Sequence, residues 1–232
     1  RYHPSRSKEV PKQYLSDYDG YLQSDGYDAY DEIGSSDGVI HVGCWAHARR
    51  YFHDASKVSQ KSGAAEEGLS RIHKLYRIES QLRKTLGDGE ITREQFVEQR
   101  KERVTPIFDA MKGWLTKKND QVPPSTKLGQ AVQYTLGQWE KLVRYPEQWY
   151  LTPDTNLVEN AIRPFVVGRK NWLLSGSPRG AYASATLYSL IETARTNGLE
   201  PYRYIAYIFT KVPTAETDDD FARLTPKYLD RD

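Results

Sequence analysis

The chain has 232 residues, 38% of them hydrophobic and 28% charged, enough to bury one large core or a core carrying an insertion, and too apolar for a disordered segment. Its formal net charge of +2 hides an uneven spread: residues 51–150 and 151–212 carry the excess cations, while 213–232 are acidic, so a polyanionic partner is favoured only for the middle and later parts. One cysteine, Cys44, excludes an internal disulfide; no apolar run approaches a membrane span and no signal-peptide pattern opens the chain, so a reducing, cytoplasmic setting is expected.

In chain order, residues 8–18 are expected to form a short helix with Pro11 in its first turn. GYLQSDG, 20–26, has the pattern of a short strand closed by the turn pair Asp25-Gly26, and GVIHVGC, 38–44, is the clearest strand. A helical turn or two over 27–33 would join them into a parallel α/β unit, whose strand carboxyl ends carry ligands. From Trp45 the apolar period becomes helical for about a hundred residues. Leu69, Ile72, Leu75, Tyr76, Ile78 and Leu82 form one stripe, and Thr105-Pro106 is consistent with either a kinked continuation or a fresh helix. A further helix after Pro123-Pro124 should run through Leu142 to Tyr145-Pro146. Two more follow, one stopping at Gly198 and one starting at Pro201, and residues 213–232 are expected to be a loosely held acidic tail.

Several groups have chemical potential. Asn156 and Glu159 have the spacing of a capping box, in which Glu159 returns to the Asn156 amide. The chemical alternative is that Glu159 faces Asp25 across the fold, because carboxylates converging on Mg²⁺ are a device for in-line phosphoryl transfer. Cys44 and His47 are spaced like half a zinc site, but completing it would require His41, His53 or Asp54, so a buried thiol with a satisfied histidine is the expectation. Arg169, Lys170, Trp172 and Arg179, interleaved with Gly168, Gly176 and Gly180, offer cations, an aromatic plate and close backbone approach. They fit a DNA strand held near a helix start, or equally a glycine-bounded strand that sends Trp172, Leu173 and Leu174 into the core.

Four blocks in fixed order, GYLQSDGYDAY, HVGCWAHARRYF, NLVENAIRPFVVGRKNWLLSGS and YSLIETARTNGLEPYRY, resemble the catalytic part of the insertion-sequence-66 family of bacterial transposases, to about residue 212. The resemblance implies an α/β, helix-dominated chain: a partial RNase-H-like catalytic fold over 1–50 and 151–212, with an all-helical insertion over 51–150. It also implies a DDE triad holding two Mg²⁺ ions, with Asp25 as the second acid and Glu159 as the third, and a structural role for the Cys44/His47 pair. DNA would be the substrate, with Arg163, Arg169, Lys170, Trp172 and Arg179 as contact candidates and a homo-oligomer as the active assembly. The alternative for Arg163, four residues beyond Glu159, is an ion pair with that acid. The first acid belongs on a strand upstream of Arg1, so the 232-residue chain is expected neither to cut nor to join DNA alone. The rival reading is a non-catalytic DNA-binding or assembly module.

Overall fold

The structure, a computed structural model, describes residues 2–5, 7–58, 63–172 and 175–229, without the side chains of Arg169, Asn171 and Trp172. Two compact units divide the chain, one of Ser7–Leu157 and one of Arg1–Arg6 with Val158–Asp232.

The first unit opens with helix α1 (Glu9–Tyr14) and strand β1 (Gly20–Gln23). Two 3-10 turns, Asp28–Tyr30 and Ile33–Ser35, lead to strand β2 (Val39–Val42). The strands pair in parallel with Gly20 opposite Val39 and Gln23 opposite Val42, as the strand, helix, strand order predicts. Among the described residues this is the whole sheet, so helices dominate.

Helices α2 (Trp45–Val58), α3 (Gly63–Gly87) and α4 (Arg93–Gln121) follow. A capping box starts α4: Gln95 N–H donates to Thr92 Oγ1, and Thr92 N–H donates to Gln95 Oε1. Of the two options at Thr105-Pro106, the helix continues; Pro106 and Glu102 are exposed, so the carbonyl that proline leaves unbonded faces water. Thr105 Oγ1 donates back to the Lys101 carbonyl at 2.7 Å and caps nothing. The helix expected up to Leu142 instead breaks at Gln138, giving α5 (Lys127–Gly137) and a single turn, α6 (Trp139–Leu142).

These helices and the sheet share one core. Trp45, fully buried, stacks on Phe108 at 5.9 Å and meets Trp139 edge-on at 6.1 Å. Its indole N–H donates to the Leu142 carbonyl at 2.9 Å, so burial leaves no polar atom stranded there. Phe52 packs against Gly68 so closely that a Cβ would sit 2.7 Å from its ring. Val42 and Leu151 join the same cluster, which ties strand and helical parts into one body.

The polypeptide then enters α7 (Asn156–Trp172), of which Asn156 and Leu157 belong to the first unit. The second unit contains the rest of α7, α8 (Pro178–Thr196), α9 (Pro201–Lys211) and α10 (Asp218–Arg223). Gly198, at φ 79°, ends α8 as expected: Leu199 N–H reaches the Ala194 carbonyl and Gly198 N–H reaches that of Arg195, a Schellman arrangement. The acidic residues 218–220, expected in a loose tail, form the first turn of α10, where carboxylates complement the helix dipole and Thr217 and Asp220 make a capping box. Phe165 and Tyr188 meet edge-on at 5.2 Å.

Candidate active site

Asp25 follows β1 by two residues. Ser24 N–H extends the ladder to the Val42 carbonyl at 3.0 Å, and the chain then turns at Gly26, where φ is 83°. A side chain there would be strained and would also strike Tyr134 Oη at 2.9 Å. The Asp25 side chain is exposed; Oδ1 accepts Tyr27 N–H at 3.0 Å. Its backbone carbonyl accepts the Tyr134 hydroxyl at 2.9 Å, so α5 fixes the height of this turn.

The segment returning from the helical layer is fastened to the carboxyl ends of both strands. Gln23 Nε2 donates to the Thr152 carbonyl at 2.7 Å, and Trp45 N–H to that of Pro153 at 2.8 Å. Cys44 Sγ accepts from Thr155 N–H at 3.4 Å and Thr155 Oγ1 at 3.3 Å, with His47 Nδ1 at 3.1 Å. Burial opposes ionisation of this thiol, but the hydrogen bonds from His47 and Thr155 outweigh it and hold the pKa below the ordinary value. The bond to Cys44 correspondingly raises that of His47. The pair thus anchors the residue that precedes α7.

A second fastening is buried deeper. Arg100, fully buried, donates through Nη1 to Glu79 Oε1 at 3.2 Å and to the Leu151 carbonyl at 3.0 Å, and through Nη2 to the Gln148 carbonyl. Arg83 bonds the same Leu151 carbonyl at 2.6 Å and Glu79 at 2.8 Å. Two guanidiniums and one carboxylate therefore set the path of residues 148–151. Sequence reading passed over this trio, although Glu79 lies four residues after Leu75 and three before Leu82, an acid set into an apolar stripe.

Glu159 lies in the first turn of α7. The Asn156 amide, which a capping box would give to Glu159, is bonded by Asp154 Oδ1 at 3.0 Å, so an aspartate two residues upstream caps the helix start.

Among the cations singled out in the sequence, Arg163 and Lys170 lie on α7 and Arg179 lies in the first turn of α8. All three are exposed and make no ion pair among the described residues. Residues 168–172 are helical, which overturns the glycine-bounded strand. The run of apolar residues from Trp172 has β-like composition, but α7 extends as far as Trp172. Lys170 also falls at the C-terminal end of that helix instead of near a helix start, a position where cations offset the dipole. The side chains of Arg169 and Trp172, and residues Leu173 and Leu174, lie outside the described residues.

Oxygen donors such as Asp25 and Glu159 suit Mg²⁺ chemically. Among the described residues, no three His, Cys, Asp or Glu side chains gather as a metal-binding group. His41 instead shares a 2.7 Å hydrogen bond with Ser24 Oγ, and His53 lies 3.9 Å from Asp54. Among the described residues no helix is long and apolar enough to cross a membrane.

A family model described as "Transposase IS66 family" matches residues 1–183, and one described as "IS66 C-terminal element" matches residues 189–226. The chain belongs to the IS66 transposase family. It is 30% identical over 233 residues to the uncharacterized protein y4qI of Sinorhizobium fredii, an alignment that covers 97% of this chain and 42% of that protein. It is 28% identical over 222 residues to the uncharacterized protein y4hP of the same organism, covering 89% and 39%. The chain thus spans about two fifths of the length of these curated IS66-like relatives. No solved structure matches it.

Proposed function

We propose that this IS66 chain supplies two of the three acids of a DDE transposase centre: Asp25 as the second and Glu159 as the third, on an RNase-H-like core. The observation that carries the reading is the fastening of residues 151–156 to the carboxyl ends of β1 and β2. The residues that lead into α7 are therefore anchored at the end of the sheet that Asp25 follows. In a parallel α/β arrangement, that end of the sheet is where ligands bind.

In this scheme Asp25 and Glu159 hold Mg²⁺ together with a carboxylate from another part of the longer protein. The bound metal supplies charge neutralisation at the scissile phosphate. Tyr134 and Gly26 set the turn at Asp25, the Cys44/Thr155 contact anchors the residue that precedes α7, and Arg163, Arg169, Lys170, Trp172 and Arg179 bind the DNA strands. The reaction is hydrolysis of a phosphodiester at the element end, followed by attack of the freed 3′ hydroxyl on target DNA in a homo-oligomeric assembly.

The test uses the full-length protein. Glu159→Gln and Asp25→Asn should abolish strand transfer and weaken Mn²⁺ binding measured by calorimetry, while DNA binding stays within about twofold of wild type. Retained strand transfer in either variant refutes the assignment of that acid. Loss of DNA binding with unchanged folding points instead to a non-catalytic DNA-binding or assembly module.

A further inference from the structure

Beside Asp25 the first unit carries an aromatic pair at its surface, in which half-buried Tyr134 packs against the core and Tyr51 lies outside it. Tyr51, on α2, stacks on Tyr134, on α5, with ring centroids 4.4 Å apart and planes 24° from parallel. Tyr134 is the residue whose hydroxyl holds the Asp25 carbonyl at 2.9 Å. Tyr51 is 40% exposed although one face is covered by its partner. Large exposed aromatics are costly to leave in water, and one stacked pair on the rim of an acid site is a surface suited to another planar group.

The charges around it fit a polyanion. Arg49 and Arg50 precede Tyr51 on α2, are exposed, and have no acidic partner among the described residues. Arg50 is the neighbour of Tyr51 on α2, and its charge is felt at both His47 and Tyr134. Asp54, one turn further along, faces His53 at 3.9 Å. An unpaired base presents a free π face together with a phosphate, and this surface offers a stacking face together with a cation. A base inside a duplex is already stacked, so the complementary ligand is a single strand or a frayed end.

We propose that Tyr51, backed by Tyr134 and flanked by Arg50, is a platform for an unpaired base of the DNA strand delivered to Asp25. The proposal rests on the DNA reading above and adds the strandedness of the substrate at the site. Its test is fluorescence anisotropy of the 232-residue chain titrated with a dye-labelled single-stranded oligonucleotide and, separately, with the matching duplex. Tyr51→Ala should weaken single-strand binding about tenfold and duplex binding less than about twofold, while Tyr51→Phe, which keeps the ring, binds like wild type. Arg50→Gln should weaken single-strand binding and flatten its salt dependence. Thermal unfolding of each variant controls for folding.

Single-strand binding by Tyr51→Ala at the wild-type level overturns the platform and leaves the DNA reading intact. So does an equal loss toward single strand and duplex. Absence of any DNA binding by the wild-type chain overturns both. A Tyr51→Ala chain that fails to fold transfers the decision to Tyr51→Leu, which keeps bulk without a π face; single-strand binding by that variant at the wild-type level overturns the proposal.

Discussion

The two units differ in how they are held together. Ser7–Leu157 encloses Trp45, Phe52, Phe96, Met111, Leu115 and Tyr145 in its interior, whereas in residues 158–229 only Ala194, Tyr204 and Pro226 are buried among the described residues. Helix α7 leaves Val158, Ile162 and Val166, spaced four apart, at 52–61% exposure, and Tyr202 on α9 is 81% exposed. A groove of about 570 Å³ lies between α7 and α8, lined by Ile162, Phe165, Tyr188 and neighbours. Hydrophobic burial is the main favourable term in folding, so the first unit can be stable through its core. The second relies on helix caps and local pairs. The lesson concerns placement: the acid at Asp25 sits on the well-packed unit, while most of the candidate DNA cations sit on the thinly packed one.

The largest expected effect probes the buried ion trio. Arg100→Ala leaves Glu79 buried with a reduced complement of cations and frees the Gln148 carbonyl, and should destabilise the first unit by about 3–5 kcal/mol. Urea titration followed by tryptophan fluorescence measures this; a shift below about 1 kcal/mol would break the claim that this unit is fixed from within.

Acid should also act on the first unit. Burial, helped by Lys141 and Arg144, lowers the pKa of His41 from 6.5 to about 4. The folded state therefore resists a proton that the unfolded chain accepts. The stability contribution is intact above pH 6.5 and is lost as pH falls toward 4, by on the order of 3 kcal/mol over that window. His41→Gln should flatten this part of the profile in denaturant melts taken across pH.

Capping sharpens the contrast at smaller scale. Thr92→Ala and Thr217→Ala each remove a capping-box hydroxyl, worth about 1 kcal/mol. The first should lower the global unfolding midpoint, and the second should only speed amide hydrogen exchange in α10. Equal effects on the midpoint would mean the units unfold together. Smallest of all, Tyr204→Phe removes the 3.1 Å bond to the Leu224 carbonyl and should cost about 1 kcal/mol or less, again read by exchange around α9 and α10.

Much of this was legible in the chain itself because the signals are local. Alternation and β-branching in GVIHVGC mark β2, a 3.6-residue apolar period marks α2 to α4, and Gly198 marks the end of α8, each through a conformational preference that needs no distant partner. The IS66 blocks likewise survive as words in order. The tertiary structure decided what depends on neighbours far along the chain: that Pro106 is tolerated because it faces water, that Glu79 and Arg100 share one buried cluster with the Leu151 carbonyl, that Cys44 bonds Thr155, and that Tyr134 reaches across to the turn at Asp25. A hydrogen bond between residues 109 positions apart leaves no periodicity for a sequence to display. It arises only when packing brings the two surfaces together.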